Sequence, residues 1–126
     1  MKTDDLYSFS AESLCLIERP RARRYPFTAS IDLVDIQSEI EIREQTIDLS
    51  MYGCQTTAQR PWIAGTKIRL RILHRGSVFT ALGRVVDMRR GRIGVAFTRI
   101  EQKDQVVLEK WLDESRDQYE RLTSVR

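Results

Sequence analysis

Histidine is nearly absent from this 126-residue chain, where His74 stands alone. With two scattered cysteines, Cys15 and Cys54, it cannot complete the four-ligand set of a structural zinc site. Nor does it have a companion from which a nucleophile–base–orienter set could be built. No G-x-x-x-x-G-K phosphate loop occurs, and no paired histidine–carboxylate spacing. Catalysis is therefore not expected, and neither is a metal. Two cysteines make no disulfide framework, and Cys54, after a strand-like run, reads as a small core residue. No apolar run approaches the ~20 residues that span a bilayer. The N-terminus MKTDDLYSFSAESLCLIE lacks the basic-then-apolar layout of a signal peptide. The expected location is the cytoplasm, without membrane insertion.

Acids are scarce in one part of the chain only. From Arg60 to Arg99 ten Lys or Arg face the single Asp87, whereas residues 25–59 hold six acids against Arg43. The net charge of +3 conceals this asymmetry. A basic middle points to an anionic partner, although solvated outer faces of strands account for part of it. With 41% hydrophobic residues, the length suits one compact domain.

Residues 1–18 show no sustained apolar face and read as a flexible arm, with a short helix over 4–17 as its one regular option. Residues 19–122 form the expected single domain. TASIDLVDI alternates at Ala29, Ile31 and Leu33, then slips at Val34 and Ile36 as a bulge would allow. EIEIREQTIDL alternates at Ile40 and Ile42 and resumes on the other parity at Ile47 and Leu49. GCQTTA is short and β-compatible. KIRLRIL places Ile68, Leu70 and Ile72 on one face and Lys67, Arg69 and Arg71 on the other. HRGS is a turn holding His74. SVFTALGRVVDM is a long strand broken at Gly83, and RRG turns the chain into RIGVAFTRI. Six closely spaced strands predict a mainly β fold, an antiparallel barrel. After Ile100 the period becomes helical, with Asp104 as N-cap. Leu108, Trp111, Leu112, Ser115, Tyr119 and Leu122 share one face, and this C-terminal α-helix is expected to plug an open end of the barrel.

Two short stretches carry the functional signal. RPRARRYPF, residues 19–27, gathers Arg19, Arg21, Arg23 and Arg24 although their charges repel. Pro20 and Pro26 exclude regular helix or central strand there. DLSMYGC, residues 48–54, spaces Asp48, Ser50 and Gly53 as D-x-S-x-x-G. On a strand, Asp48 and Ser50 would face the same side. Gly53 permits a positive φ or a close approach by a ligand. Alone, the second stretch is equally a turn capped by its own side chains.

Together, in this order and spacing, they resemble the PilZ domain, a bacterial receptor for cyclic di-GMP. Its signature is R-x-x-x-R followed by [DN]-x-S-x-x-G. GRVVDMRRGRIGVAF is similar to the family's late hairpin, and VVLEKWL to its C-terminal helix. Arg19 and Arg23 satisfy the first motif literally, and Arg24 lies directly before the apolar start of the barrel, where the family usually places its second arginine. The resemblance implies cyclic di-GMP as ligand, bound by Arg19, Arg23, Arg24, Asp48, Ser50 and Gly53, with no further cofactor. It also implies an arm that orders on binding and a signal passed to a downstream protein, no output domain being attached. Guanidinium groups match phosphate oxygens and guanine O6 and N7, and a carboxylate can accept from guanine N1–H and N2–H. Two other readings stay open: a PilZ-like adaptor that contacts only proteins, and a small barrel binding RNA or single-stranded DNA. Nucleic acid is the less expected partner, because only Tyr52 and Trp62 could offer stacking platforms near basic residues.

Overall fold

The computed structural model describes residues 22–123. The short helix expected over 4–17, the arm, Cys15, Arg19 and Arg21 lie outside them. Seven strands and one helix follow in order: β1 (Tyr25–Pro26), β2 (Ser30–Asp35), β3 (Glu41–Leu49), β4 (Gly53–Thr57), β5 (Lys67–His74), β6 (Ser77–Arg89), β7 (Arg92–Arg99) and α1 (Gln102–Thr123). The sheet runs β1-β3-β2-β5-β6-β7-β4, and β4 pairs back onto β3. Six strands thus close an antiparallel barrel, with β1 as an extra strand beside β3. Closure removes most of the unpaired strand edge that an open sheet would expose.

Binary patterning sets the inside of the barrel. On β5 the side chains of Ile68, Leu70 and Ile72 are fully buried, while Lys67, Arg69 and Arg71 are exposed. Ile31, Leu33, Leu49, Phe79, Val85, Ile93 and Val95 complete this interior. The β5–β6 turn places Arg75 at φ 51° and Gly76 at φ 79°. Both central residues in the left-handed region make it a two-residue hairpin whose twist matches the strands. His74 is not in this turn. It is the last residue of β5 and pairs with Ser77.

Two register changes expected from the sequence have different outcomes. β2 pairs without interruption from Ser30 to Asp35 against β5, so there is no bulge at Val34. Ile36 lies beyond the strand's end and is exposed, which is why it leaves the alternation. In β3 the change is real. The pairing with β4 shifts between Thr46 and Asp48, and burial switches parity from Thr46 to Leu49. The extra residue, Ile47, is half-buried. Gly83 does not break β6, but the register with β7 shifts beside it.

The helix buries Leu108, Trp111 and Leu112 against the barrel, whereas Leu122 further along is exposed. Its apolar face is therefore used in the first half. Trp111 packs 5.4 Å from Phe27, 5.3 Å from His74 and 6.3 Å from Phe79, ring to ring. Asp104 is not the N-cap. The helix begins at Gln102, and the Glu101 carbonyl accepts from the Asp104 and Gln105 amides. The Asp104 carboxylate is buried and accepts from the Thr80 amide at 2.9 Å, tying the first helical turn to β6.

Burial pushes the His74 pKa down, the Arg75 charge adds to this, and Glu114 opposes it. A base with a depressed folded pKa contributes stability that is full above its unfolded pKa of ~6.5 and is lost as pH falls through the folded value. The urea midpoint should therefore fall between about pH 7.5 and about pH 5, a window above the range in which carboxylates titrate. In a His74→Gln variant that slope should flatten, as denaturation at both pH values would reveal.

Candidate functional site

The strand β1 is only two residues long, and its register places the arginine stretch. Tyr25 pairs with Leu49 and Pro26 with Asp48. Proline lacks a donor, and this edge position tolerates it. Just beyond, Thr46 Oγ1 donates to the Phe27 carbonyl at 2.6 Å and accepts from the Ala29 amide at 2.8 Å. The Phe27 amide donates to the Ile47 carbonyl at 3.0 Å. The chain leaving the arginines is thus held against β3 on both sides of its bulge.

That placement brings the two motifs together. Arg24 Nη1 lies 3.1 Å from Asp48 Oδ1 across 24 residues of sequence. The arginine side chain is half-exposed, whereas that of Asp48 is only 16% exposed. Asp48 Oδ1 also accepts from the Gln55 amide at 2.9 Å, and Oδ2 accepts from Gln55 Nε2 at 3.1 Å. A carboxylate offers about four acceptor lobes, so three bonds leave room for one more donor. Arg23 turns the other way, with its guanidinium 5.6 Å from the centre of the Tyr119 ring on α1. Tyr25 meets the same ring edge-on at 6.1 Å. Two arginines of the stretch are thus seated, Arg24 on a carboxylate and Arg23 on an aromatic face.

Ser50 and Gly53 lie beyond the end of β3, in the turn and at the start of β4. β3 ends at Leu49, so Ser50 does not share a strand face with Asp48 as the spacing predicts. Ser50 is buried in the β3–β4 turn. Its hydroxyl donates to the Gly53 carbonyl at 3.3 Å and accepts from the Tyr52 amide at 3.2 Å. The Ser50 amide donates to the same Gly53 carbonyl at 2.9 Å. Gly53 is not among the residues with positive φ. Its lack of a side chain is required because a Cβ would overlap the Val95 carbonyl of β7 and crowd Ala96 Cα at 3.3 Å. The close approach is made by a neighbouring strand.

Cys54, next in line, is fully buried. Burial pushes its thiol up to about 12, with the Asp48 charge adding to the effect and Arg24 opposing it. It is a core residue, in keeping with its strand position.

The sequence motifs include neither Gln55 nor Tyr119. Gln55 carries no sequence signal of its own; only the register Asp48↔Gln55 reveals it. Tyr119 falls on the helical face read from the sequence, but its role beneath Arg23 depends on where α1 docks.

Among curated proteins nothing matches this chain. Solved structures do. The PilZ domain of YcgR from Escherichia coli, solved with c-di-GMP, is 14% identical and superposes with a TM-score of 0.66, covering 85% of this chain and 99% of that one. The PilZ domain of CeSA from a cellulose-synthesizing bacterium is 19% identical, with a TM-score of 0.59 and coverage of 71% and 93%. The Bacillus subtilis inhibitor of motility MotI/DgrA is 15% identical, with a TM-score of 0.60; 74% of this chain covers 48% of that longer protein. At such identities the likeness speaks for the fold. Residues 18–114 match the PilZ domain itself, spanning the arginines, Asp48, the whole barrel and the first half of α1. The chain, with its two motifs meeting where β1 joins β3, therefore belongs to the PilZ domain family, a family of regulatory receptors and not of enzymes.

Proposed function

We propose that this domain is a cyclic di-GMP receptor whose output passes to a protein partner. The observation that carries the reading is the Arg24–Asp48 junction. It unites the arginine stretch with the D-x-S-x-x-G motif at one point of the barrel surface. The c-di-GMP in the YcgR domain, which shares this fold, supports it. Phosphates draw Arg24 and Arg23 from Asp48 and Tyr119, and Arg19 and Arg21 join them. Asp48, released from Arg24, accepts from a guanine edge while Gln55 keeps it oriented. Ser50 and Gly53 act by shaping the turn that presents Asp48. The adaptor reading would leave the Arg24–Asp48 pair as a permanent staple of the arm. The single-stranded nucleic-acid reading is weakened by Trp62, which is buried and covered by Arg60 at 5.4 Å.

Calorimetry tests the proposal. Cyclic di-GMP should bind far more tightly than cyclic di-AMP, because adenine lacks the paired donors that satisfy Asp48. Arg24→Ala should weaken cyclic di-GMP by ~1.5–3 kcal/mol, the scale of a charge-assisted hydrogen bond. Equal affinity for the two dinucleotides, or no heat at all, would sink the receptor reading and leave the adaptor.

A further inference from the structure

Across the barrel from Asp48 lies a face that the site does not use. In the closed ring, β6 stands three strands from β3 in either direction. Pairing sets Lys67 of β5 directly opposite Arg84 of β6, and it sets Arg69, Leu82 and Arg99 in one row across β5, β6 and β7. All five side chains are exposed, and Val86 extends the apolar line along β6 at 49% exposure. Among the described residues no carboxylate lies within 4.0 Å of these four cations. Asp32 is occupied by Arg43 and Arg71, and Asp87 by Arg89. Like charges placed directly opposite on neighbouring strands destabilise a sheet. Solvation of the outer strand faces accounts for part of this charge, and Glu101 and Asp104 line the same cleft as Arg69, Leu82 and Arg99. An anionic partner accounts for the like-charged Lys67–Arg84 pair and for cations set on both sides of an exposed leucine.

The geometry points to a docking surface for an acidic segment of another protein, with carboxylates spaced around a leucine-like side chain. Charge complementarity selects the acids. Leu82 between Arg69 and Arg99, with Val86 further along the same strand, selects an apolar anchor, since an anchor of this kind supplies the buried centre of an interface. These three strands expose no aromatic ring on which a base could stack, which disfavours a single-stranded nucleic acid. The surface deepens the proposed receptor function by giving the output a place, on the side of the barrel away from the ligand.

The probe is a fluorescein-labelled peptide of about 15 residues built from Glu-Glu-Leu repeats, read by anisotropy against the full chain in about 0.15 M salt. Polyglutamate of equal length and a single-stranded oligonucleotide serve as comparisons. The Glu-Glu-Leu peptide should bind best. Arg69→Glu with Arg84→Glu should weaken it at least about tenfold, and Leu82→Ser should weaken it severalfold. Failure of the peptide to bind, indifference to either variant, equal binding of polyglutamate, or tighter binding of the oligonucleotide would each overturn the proposal. Calorimetry of the charge-reversed variant with cyclic di-GMP keeps the two readings apart, because its affinity should equal that of the unmodified protein.

Discussion

Alanine at position 53 should prevent the barrel from closing properly, at a cost at or above the ~1–3 kcal/mol typical of overpacking. The added Cβ would overlap the Val95 carbonyl, and it would sit 3.2 Å from Val95 C and 3.3 Å from Ala96 Cα. All three are backbone atoms, so no side chain can swing aside. Relief requires β4 and β7 to part where Gly53 pairs with Ala96, which is a seam of the closed sheet. Urea denaturation of Gly53→Ala should show a large fall in midpoint, or no cooperative transition. A ligand-facing glycine predicts the opposite pattern, with stability retained and cyclic di-GMP binding lost. Observing that pattern would mean the strands can separate at little cost, and the steric account would fail.

Trp111→Ala should be similarly damaging, by ~3–5 kcal/mol, the range for removing a large buried aromatic. The indole is 2% exposed and fills the space between Phe27, His74 and Phe79. Those residues come from the chain after β1, from β5 and from β6, so one ring joins the segment between β1 and β2, the barrel and the helix. Its loss should also admit water to His74. Burial is the main cause of that residue's depressed pKa, so the value should climb back toward the ordinary ~6.5. An NMR titration of the chain's single histidine follows this independently of denaturation. A large stability loss with an unmoved His74 titration would mean that the helix stays docked and that the damage is only a cavity.

The barrel was legible where one physical signal dominated. KIRLRIL alternates because β5 is buried on one face and solvated on the other, and each of its positions falls as read. The parity change in EIEIREQTIDL marks a real bulge at Ile47, whereas the similar change at Ile36 marks only a strand's end. Alternation cannot distinguish an inserted residue from a terminated one; pairing partners can. β1 escaped notice because two residues carry no period, and proline argued against a strand in all but an edge position. Asp104 was a plausible cap by residue type, yet its acceptor serves β6 from inside the first turn. Asp48 and Arg24 were legible as motif positions. Their contact was not, because it depends on the β1–β3 register, and the same register hides Gln55 and, through the helix, Tyr119. Ser50 and Gly53 were read as ligand contacts by resemblance; the bonds and packing seen here belong to the turn and to β7.

The burial of Cys54 makes the barrel its own clock. A thiol reacts as its thiolate, and burial, which pushes the Cys54 thiol up to about 12, disfavours that form at neutral pH. The sulfur also lies behind closed strands, between the β3–β4 turn and β7. Oxidants and alkylating reagents therefore meet it only when β4 lifts from a neighbour. In a background with Cys15 replaced by serine, the rate of thiol labelling reports those openings, in a strand that begins five residues after Asp48, the acceptor of Arg24.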